Sequence, residues 1–353
     1  MQATNKVEAI DKFLTLLNKG GRRQESVSNG KCVCCKASGL TETSFKDALS
    51  IKEYARNAKM WRLRHKRTTM SRSPTTMRNL FSIVENNTMV GIIYDLSKLP
   101  EATRKQITES RKYTAWFSKF PDKLFASGGD AKTVLGEPFA VKTFIMYGAP
   151  AMSSGVNMCP MARLAKCEAP CLNTAGRGAM TNVEMARLRK TLYWQQYPQE
   201  FKEMFARDVE RGCKQARKLG MVPAFRPNGT TDTRWELYVW DIMVSAHKEY
   251  GARFYDYTKL ANRVIPNPKV YDLTFSYSGV KAFQPQVKLA IEKGMRLAVV
   301  FDGKHYPKRF LGKRTINGST TDIRFRDKQN VIVALCAKGK AKHDKSGFVV
   351  ATH

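Results

Sequence analysis

The stretch FKEMFARDVERGCKQARKLGMVPAFRPNG, residues 201–229, holds the decision about the fold. Phe201, Met204, Phe205, Val209, Cys213, Ala216 and Leu219 recur at helical spacing, so they predict an amphipathic helix with one apolar stripe. Gly220 follows as its C-cap, because only glycine enters the left-handed region freely. The run VPAFRPNG (222–229) comes straight after, short, apolar and ending on polar residues. A helix feeding directly into such a run is one unit of a β–α repeat.

The same alternation continues outward. VKTFIMY (141–147), ARFYDYTK (252–259), VYDLTFSYSG (270–279), MRLAVVFDG (295–303) and NVIVALCAKG (330–339) read as strands. Residues 234–250 and 281–293 read as helices, and Thr181 with Glu184 makes a capping box for the helix before residue 201. Repeated units of this kind predict an α/β protein with a parallel (β/α) core, a full or partial barrel-like arrangement or an open doubly wound sheet. The basic region before it reads as a mainly helical and loop extension. The domains expected are therefore 1–137 and 138–353.

The predicted strands finish on polar side chains: Arg226 and Asn228, then Asp256, Thr258 and Lys259, then Ser276 and Ser278, then Asp302. Loops at the carboxyl ends of parallel strands converge on one face, which is where ligands bind. Asp232, Asp256, Lys259 and Asp302 are the expected catalytic residues. Carboxylates there can serve as bases or nucleophiles, and a lysine can hold a phosphate or assist a leaving group. Arg226 and Asn228 are expected to line the pocket. Loop caps and ion-pair partners are the plainer reading of each.

NMCPMARLAKCEAPCLNTAGRG (157–178) follows the first predicted strand and carries Cys159, Cys167 and Cys171 in a C-x7-C-x3-C spacing. Pro160 and Pro170 keep the outer two cysteines out of a helix interior, and irregular backbone lets thiolates converge. Four-coordinate zinc needs a further ligand, for which His305 or the trio Cys32, Cys34 and Cys35 are candidates. A 4Fe–4S cluster on three cysteines leaves one iron open for a cofactor or substrate. Three buried or redox-active thiols are the alternative. NTAGRG then presents Arg177 and backbone N–H groups to an anion, unless it is only a tight turn. Cys213 and Cys336 read as core. Eight cysteines without a secretory leader suit a reducing compartment.

Charge decides the class of partner. The 353 residues carry 61 Lys+Arg against 30 Asp+Glu, a net charge of +31. Such an excess fits a polyanion, nucleic acid before membrane, since no basic amphipathic helix concentrates it. Its densest run, KMWRLRHKRTTMSRSPTTMR (59–78), interleaves Trp61 with Arg62, Arg64, Lys66 and Arg67 and contains no acid. Arginines would track phosphates and the tryptophan would stack on a base, or else anchor a core. No apolar run is long enough to span a bilayer, and residues 1–21 read as a short amphipathic helix, not a signal peptide.

NMCPMARLAKCEAPCLNTAGRG, FRPNGTTDTRWE, RFYDYTKLANR and INGSTTDIRF with AKGKAKHDKSGFVV are similar to motifs of the gene product 88 family of tailed-phage proteins. The resemblance covers about residues 138–353 and implies a phage origin and a host-cytoplasm setting. It implies no reaction. In layout, cysteines after the first strand of a β–α series also resemble radical-SAM barrels, although their usual spacing is C-x3-C-x2-C.

Three functions follow as expectations. One is an enzyme that modifies nucleic acid, DNA before RNA, with an iron–sulfur or zinc site on the three cysteines and S-adenosylmethionine as a possible cofactor. A zinc-dependent base-exchanging transglycosylase of the 7-deazaguanine type is its specific variant. Another is a non-catalytic DNA-binding, replication or DNA-protection protein with zinc as a staple. The last is a factor acting on a host protein.

Overall fold

The computed structural model describes residues 93–128, 134–303 and 305–352, all within one compact unit, Asn87–His353. The basic run with Trp61, Arg62, Arg64, Lys66 and Arg67, and the trio Cys32, Cys34 and Cys35, lie outside the described residues.

Two short helices come first, α1 (Glu101–Thr108) and α2 (Arg111–Phe117), then strands β1 (Phe125–Ala126) and β2 (Val141–Met146). Helices α3 (Thr181–Gln196) and α4 (Pro198–Lys218) lead to β3 (Val222–Arg226), and α5 (Trp240–Tyr250) leads to β4 (Arg253–Thr258). β5 (Tyr271–Ser276) and α6 (Gln284–Glu292) precede β6 (Leu297–Phe301). A hairpin of β7 (Arg309–Phe310) and β8 (Lys313–Asn317) precedes β9 (Ile332–Cys336).

All six strands read from the sequence form, and each pairs in parallel with the next in the order β2-β3-β4-β5-β6-β9. Their near-continuous burial, as in VKTFIM, is what a sheet covered on both faces requires. β1 adds antiparallel at one edge. At the other, β8 pairs in parallel with β9 and β7 antiparallel with β8. Among the described residues no ladder joins β1 to β7, so the sheet is open.

Strand parity shows what covers each face. Phe144, Phe225, Phe254 and Tyr271 share a core with Leu188, Phe205, Cys213 and Met243 of α3, α4 and α5. Phe275, Leu297 and Ile332, on the same side, meet Val287 and Ala290 of α6. The four long helices therefore lie on one face. The opposite face packs Val141, Ala224 and Tyr255 against Ile323 and Phe325 of the segment before β9. That side is charged as well as apolar: Arg226 pairs with Asp322, and Arg296 with Asp272.

Residues 93–128 pack into the same core as the sheet, through Tyr94, Leu99, Ile107, Phe117 and Leu124. Asp208, buried on α4, accepts from Leu124 N at 2.6 Å and Phe125 N at 3.1 Å, which ties β1 to the helix layer.

Three local expectations need correction. Thr181 is not a cap: α3 starts at Thr181 with Met180 as N-cap and no side-chain bond, because 3-10 turns run into the helix and the Met180 carbonyl takes the first N–H groups. The helix expected from residue 234 splits, since the Asn228 side chain bonds Thr233 N and Trp235 Nε1 and fixes a 3-10 turn ahead of α5. The helix expected from residue 281 begins as a 3-10 turn and becomes α6 at Gln284, where Pro285 favours a first-turn position. The stripe of α4 forms as read, but Leu219 is 53% exposed and Gly220 takes φ +64°.

Gly155 anchors the loop after β2. Its φ is +77°, and a Cβ there would lie 2.3 Å from the Lys98 carbonyl oxygen. Gly155→Ala is expected to destabilise by roughly 2–4 kcal/mol, from left-handed strain plus overpacking. The reading is the urea midpoint at constant m; an unmoved midpoint would refute the close packing.

Candidate functional site

The cysteine loop leaves the carboxyl end of β2 and is fastened to the loop after β3. Thr230 Oγ1 donates to the Gly148 carbonyl at 2.6 Å, and Asp232 N to the Met158 carbonyl at 2.9 Å. Thr191 of α3 accepts from Ala149 N at 2.8 Å. Asn157 Oδ1 receives Cys159 N, and Ala151 N donates to Cys159 Sγ at 3.4 Å. Residues 159–167 form a turn closed by Cys167 N on the Ala162 carbonyl, with Lys166 at φ +54°. Ser278, at the end of β5, donates to the Ala165 carbonyl at 2.8 Å and holds that turn over the sheet. Cys171 closes the motif, its carbonyl accepting from Thr174.

The three half-buried thiols share an electrostatic environment. Burial pushes Cys159 up to about 12 and raises Cys167 and Cys171. Each also feels the other cysteines or the groups beside them, and Lys259 pulls Cys167 and Cys171 back down. As thiols they are neutral.

The cations beside them are unusual. Lys259 is 8% exposed and Arg187 6% exposed. Lys259 Nζ donates to Ser276 O, Ser276 Oγ and Tyr277 O at 3.0–3.3 Å and lies over the rings of Phe283 and Phe348. Arg187 donates to the Gly178 carbonyl at 2.9 Å, lies over the Tyr147 ring, and leaves Nε without a partner. Among the described residues neither forms an ion pair with a carboxylate. Burial lowers the pKa of both, and the first influence raising it again is a cysteine, Cys167 for Lys259 and Cys171 for Arg187. Asp232 also favours the charge on Lys259 and Glu184 that on Arg187, but neither makes an ion pair with it, and a buried charge without a contact partner is costly.

As they stand, no three His, Cys, Asp or Glu side chains among the described residues are arranged to hold a metal ion. His305 is exposed. Three thiols near two buried cations that lack a contact ion pair are the kind of donor set a thiolate-bound metal uses.

The expected carboxylates have other work. Asp256 is fully buried; it accepts Asn228 N at 3.0 and 3.1 Å and the Tyr271 hydroxyl at 2.8 Å. Burial raises it to about 7 against the pull of Arg226, Tyr271 and Arg263. Asp232 accepts Lys259 N at 2.8 Å and Arg263 Nη1 at 3.2 Å. Arg263 also grips Glu236 with two nitrogens. Asn228, Asp232, Asp256 and Lys259 thus come together, and Asp232 with Lys259 reaches the thiols. Arg226 stands on the opposite face of the sheet with Asp322 and Tyr257. Asp302 clasps the carboxyl tail, accepting Thr352 N at 3.0 Å and Thr352 Oγ1 at 2.6 Å. Arg177 is exposed on the 3-10 turn Gly176–Ala179.

Arg187, Arg263, Glu236 and Tyr271 escaped the sequence reading. Arg187 is a charged residue among Met185, Leu188 and Leu192, the buried side chains of α3, and that misplacement was its one signal.

No helix among the described residues is long and apolar enough to cross a membrane. No curated protein and no solved structure matches the chain. A family model described as Gene product 88 matches residues 102–352, spanning the whole parallel sheet and the cysteine loop, and the chain belongs to this phage gene product 88 family.

Proposed function

We propose that the protein is a phage enzyme that modifies nucleic acid in the host cytoplasm, using a 4Fe–4S cluster on Cys159, Cys167 and Cys171 set in a partial (β/α) barrel. The observation that carries this is the pair of buried cations, Lys259 and Arg187, whose leading favourable charge partners are Cys167 and Cys171 and whose hydrogen bonds go to carbonyl and hydroxyl oxygens, not to a carboxylate. A cluster held by three thiolates would supply the missing negative charge. Iron is favoured over zinc because a structural zinc takes four protein ligands, and three cysteines leave one position open.

Held by Cys159, Cys167 and Cys171, such a cluster would supply one-electron chemistry, fed by an external low-potential reductant, of the kind that cleaves S-adenosylmethionine reductively. The chain's own residues hold the site. Ser278 and Asn157 fix the loop that presents the sulfurs, Lys259 and Arg187 lower the cost of three thiolates, and the Asp232–Arg263–Glu236 pairs anchor Lys259. The six parallel strands in chain order, with the cysteine loop after the first, support the radical-SAM-like layout.

The test is the metal content of full-length protein purified and reconstituted without oxygen. Iron and sulfide with thiolate-to-iron absorption, lost in each of Cys159→Ser, Cys167→Ser and Cys171→Ser, are expected, as is reductant-dependent cleavage of adenosylmethionine. Zinc in place of iron would sink the radical reading and move the weight to a transglycosylase. Folded protein that binds neither would end the metal site altogether.

A further inference from the structure

Two segments far apart in sequence meet beside the cysteine loop. Lys340 N donates to Thr174 Oγ1 at 3.4 Å, and Gly339 sits so close to Ala175 that a Cβ would come within 2.9 Å of it. Ser346 Oγ reaches the Lys166 carbonyl at 3.5 Å, and Phe348 covers Lys259. The carboxyl-terminal segment is held down by Asp302 on Thr352 and by the bridge of Val350 to Phe301.

This apposition builds a predominantly positive rim. Lys166 and Arg177 on one side and Lys338, Lys340, Lys342 and Lys345 on the other are all exposed. The two carboxylates in these stretches are engaged. Asp344 accepts Ser346 Oγ at 2.7 Å and Val349 N at 3.0 Å, and Glu168 faces Arg163 at 3.5 Å. Leu164 and Leu172, 42% and 41% exposed, put apolar surface among the cations. Leu164 lies in a turn and Leu172 opens the short 3-10 turn Leu172–Thr174, so the two do not share one face of an amphipathic helix, which fits unstacked bases better than a bilayer surface.

We propose that this rim is the docking surface for the phosphodiester backbone of single-stranded nucleic acid, laid across the mouth of the cysteine site. The placement rests on the functional reading above for what lies beneath the strand; the surface itself stands on charge and contact. Lysine and arginine that neutralise phosphates release counter-ions, so binding must weaken steeply with salt.

The experiment is fluorescence anisotropy of the full chain with labelled oligothymidylate, its RNA counterpart and a duplex, over a salt series. Lys340→Glu/Lys342→Glu/Lys345→Glu is expected to weaken single-strand binding at least tenfold and to flatten the salt slope by roughly 2, at about 0.7 per lost phosphate contact. Lys105→Glu/Lys214→Glu/Lys288→Glu, the same charge change on exposed helix positions, is the control and should leave that slope unchanged. The Cys159→Ser/Cys167→Ser/Cys171→Ser protein should bind the strand with parental affinity, so loss of the metal reading leaves this one standing. Equal slopes in the rim and control variants would overturn the proposal and place the strand elsewhere. A parent that ignores oligonucleotides, or prefers duplex or anionic phosphatidylserine vesicles, would overturn it too.

Discussion

Lys259→Met is expected to lower iron retention by about 10–100-fold, the usual effect of removing a group that tunes metal ligands, without lowering the stability of the metal-free protein. The reason is the sign of the charge. Without a metal Lys259 is a buried cation beside thiols, and its solvation cost is offset by Ser276 and Tyr277 oxygens, by the Phe283 and Phe348 rings and by the field of Asp232, with no contact ion pair. An apolar chain of similar volume relieves that cost, and such replacements are often neutral or stabilising. With three thiolates present the same charge becomes favourable. Arg187→Met should act in the same direction. Iron per chain after gel filtration, beside thermal unfolding of the apo form, reads both quantities. If iron and apo melting temperature fall together, Lys259 is only a structural strut. A rise in apo stability with intact iron would equally remove it from the site.

Asp256→Ala is expected to cost roughly 2–5 kcal/mol at neutral pH, because two donors, Asn228 N and the Tyr271 hydroxyl, lose their buried acceptor. pH dependence separates this carboxyl from a simple packing residue. Its folded pKa is raised to about 7 from an unfolded value near 3.8, so between those values the native state holds more protons than the unfolded chain. Stability contributed by this group is therefore full below about pH 4, declines as pH rises, and levels off above about pH 7, a span of about 4 kcal/mol. Asp232, Asp272 and Asp327 are raised by burial as well and act in the same direction. The parent should thus unfold at higher urea at pH 5 than at pH 7, and Asp256→Asn should flatten much of that difference. A parent whose midpoint rises from pH 5 to pH 7 would contradict the burial-dominated view of Asp256.

Both predictions concern residues expected from strand ends alone, and the structure divides that set. Asp232 and Lys259 border the thiols, whereas Asp256 is sealed beneath the loop and Arg226 faces the opposite side of the sheet. Polar residues at the ends of parallel strands look alike in sequence. Alternation sends neighbours such as Arg226 and Phe225 to opposite faces, and distant partners decide which polar end meets solvent. Asp322 recruits Arg226 across 96 positions, and Arg263 reaches Asp232 across 31. No local pattern encodes those distances.

The sequence by itself determined the six parallel strands, the long stripe of α4, and the loop character of the cysteine motif. Periodicity, glycine and proline are local signals, and burial on both faces leaves strands continuously apolar whatever their neighbours. Only the tertiary structure decided that the sheet stays open among the described strands, that all long helices share one face, and that two unpaired cations stand beside the thiols. It also brought the tail from residue 338 onward against the cysteine loop. Those outcomes depend on which buried charges find partners after the chain has folded back on itself, and that depends on distance in space rather than distance along the chain.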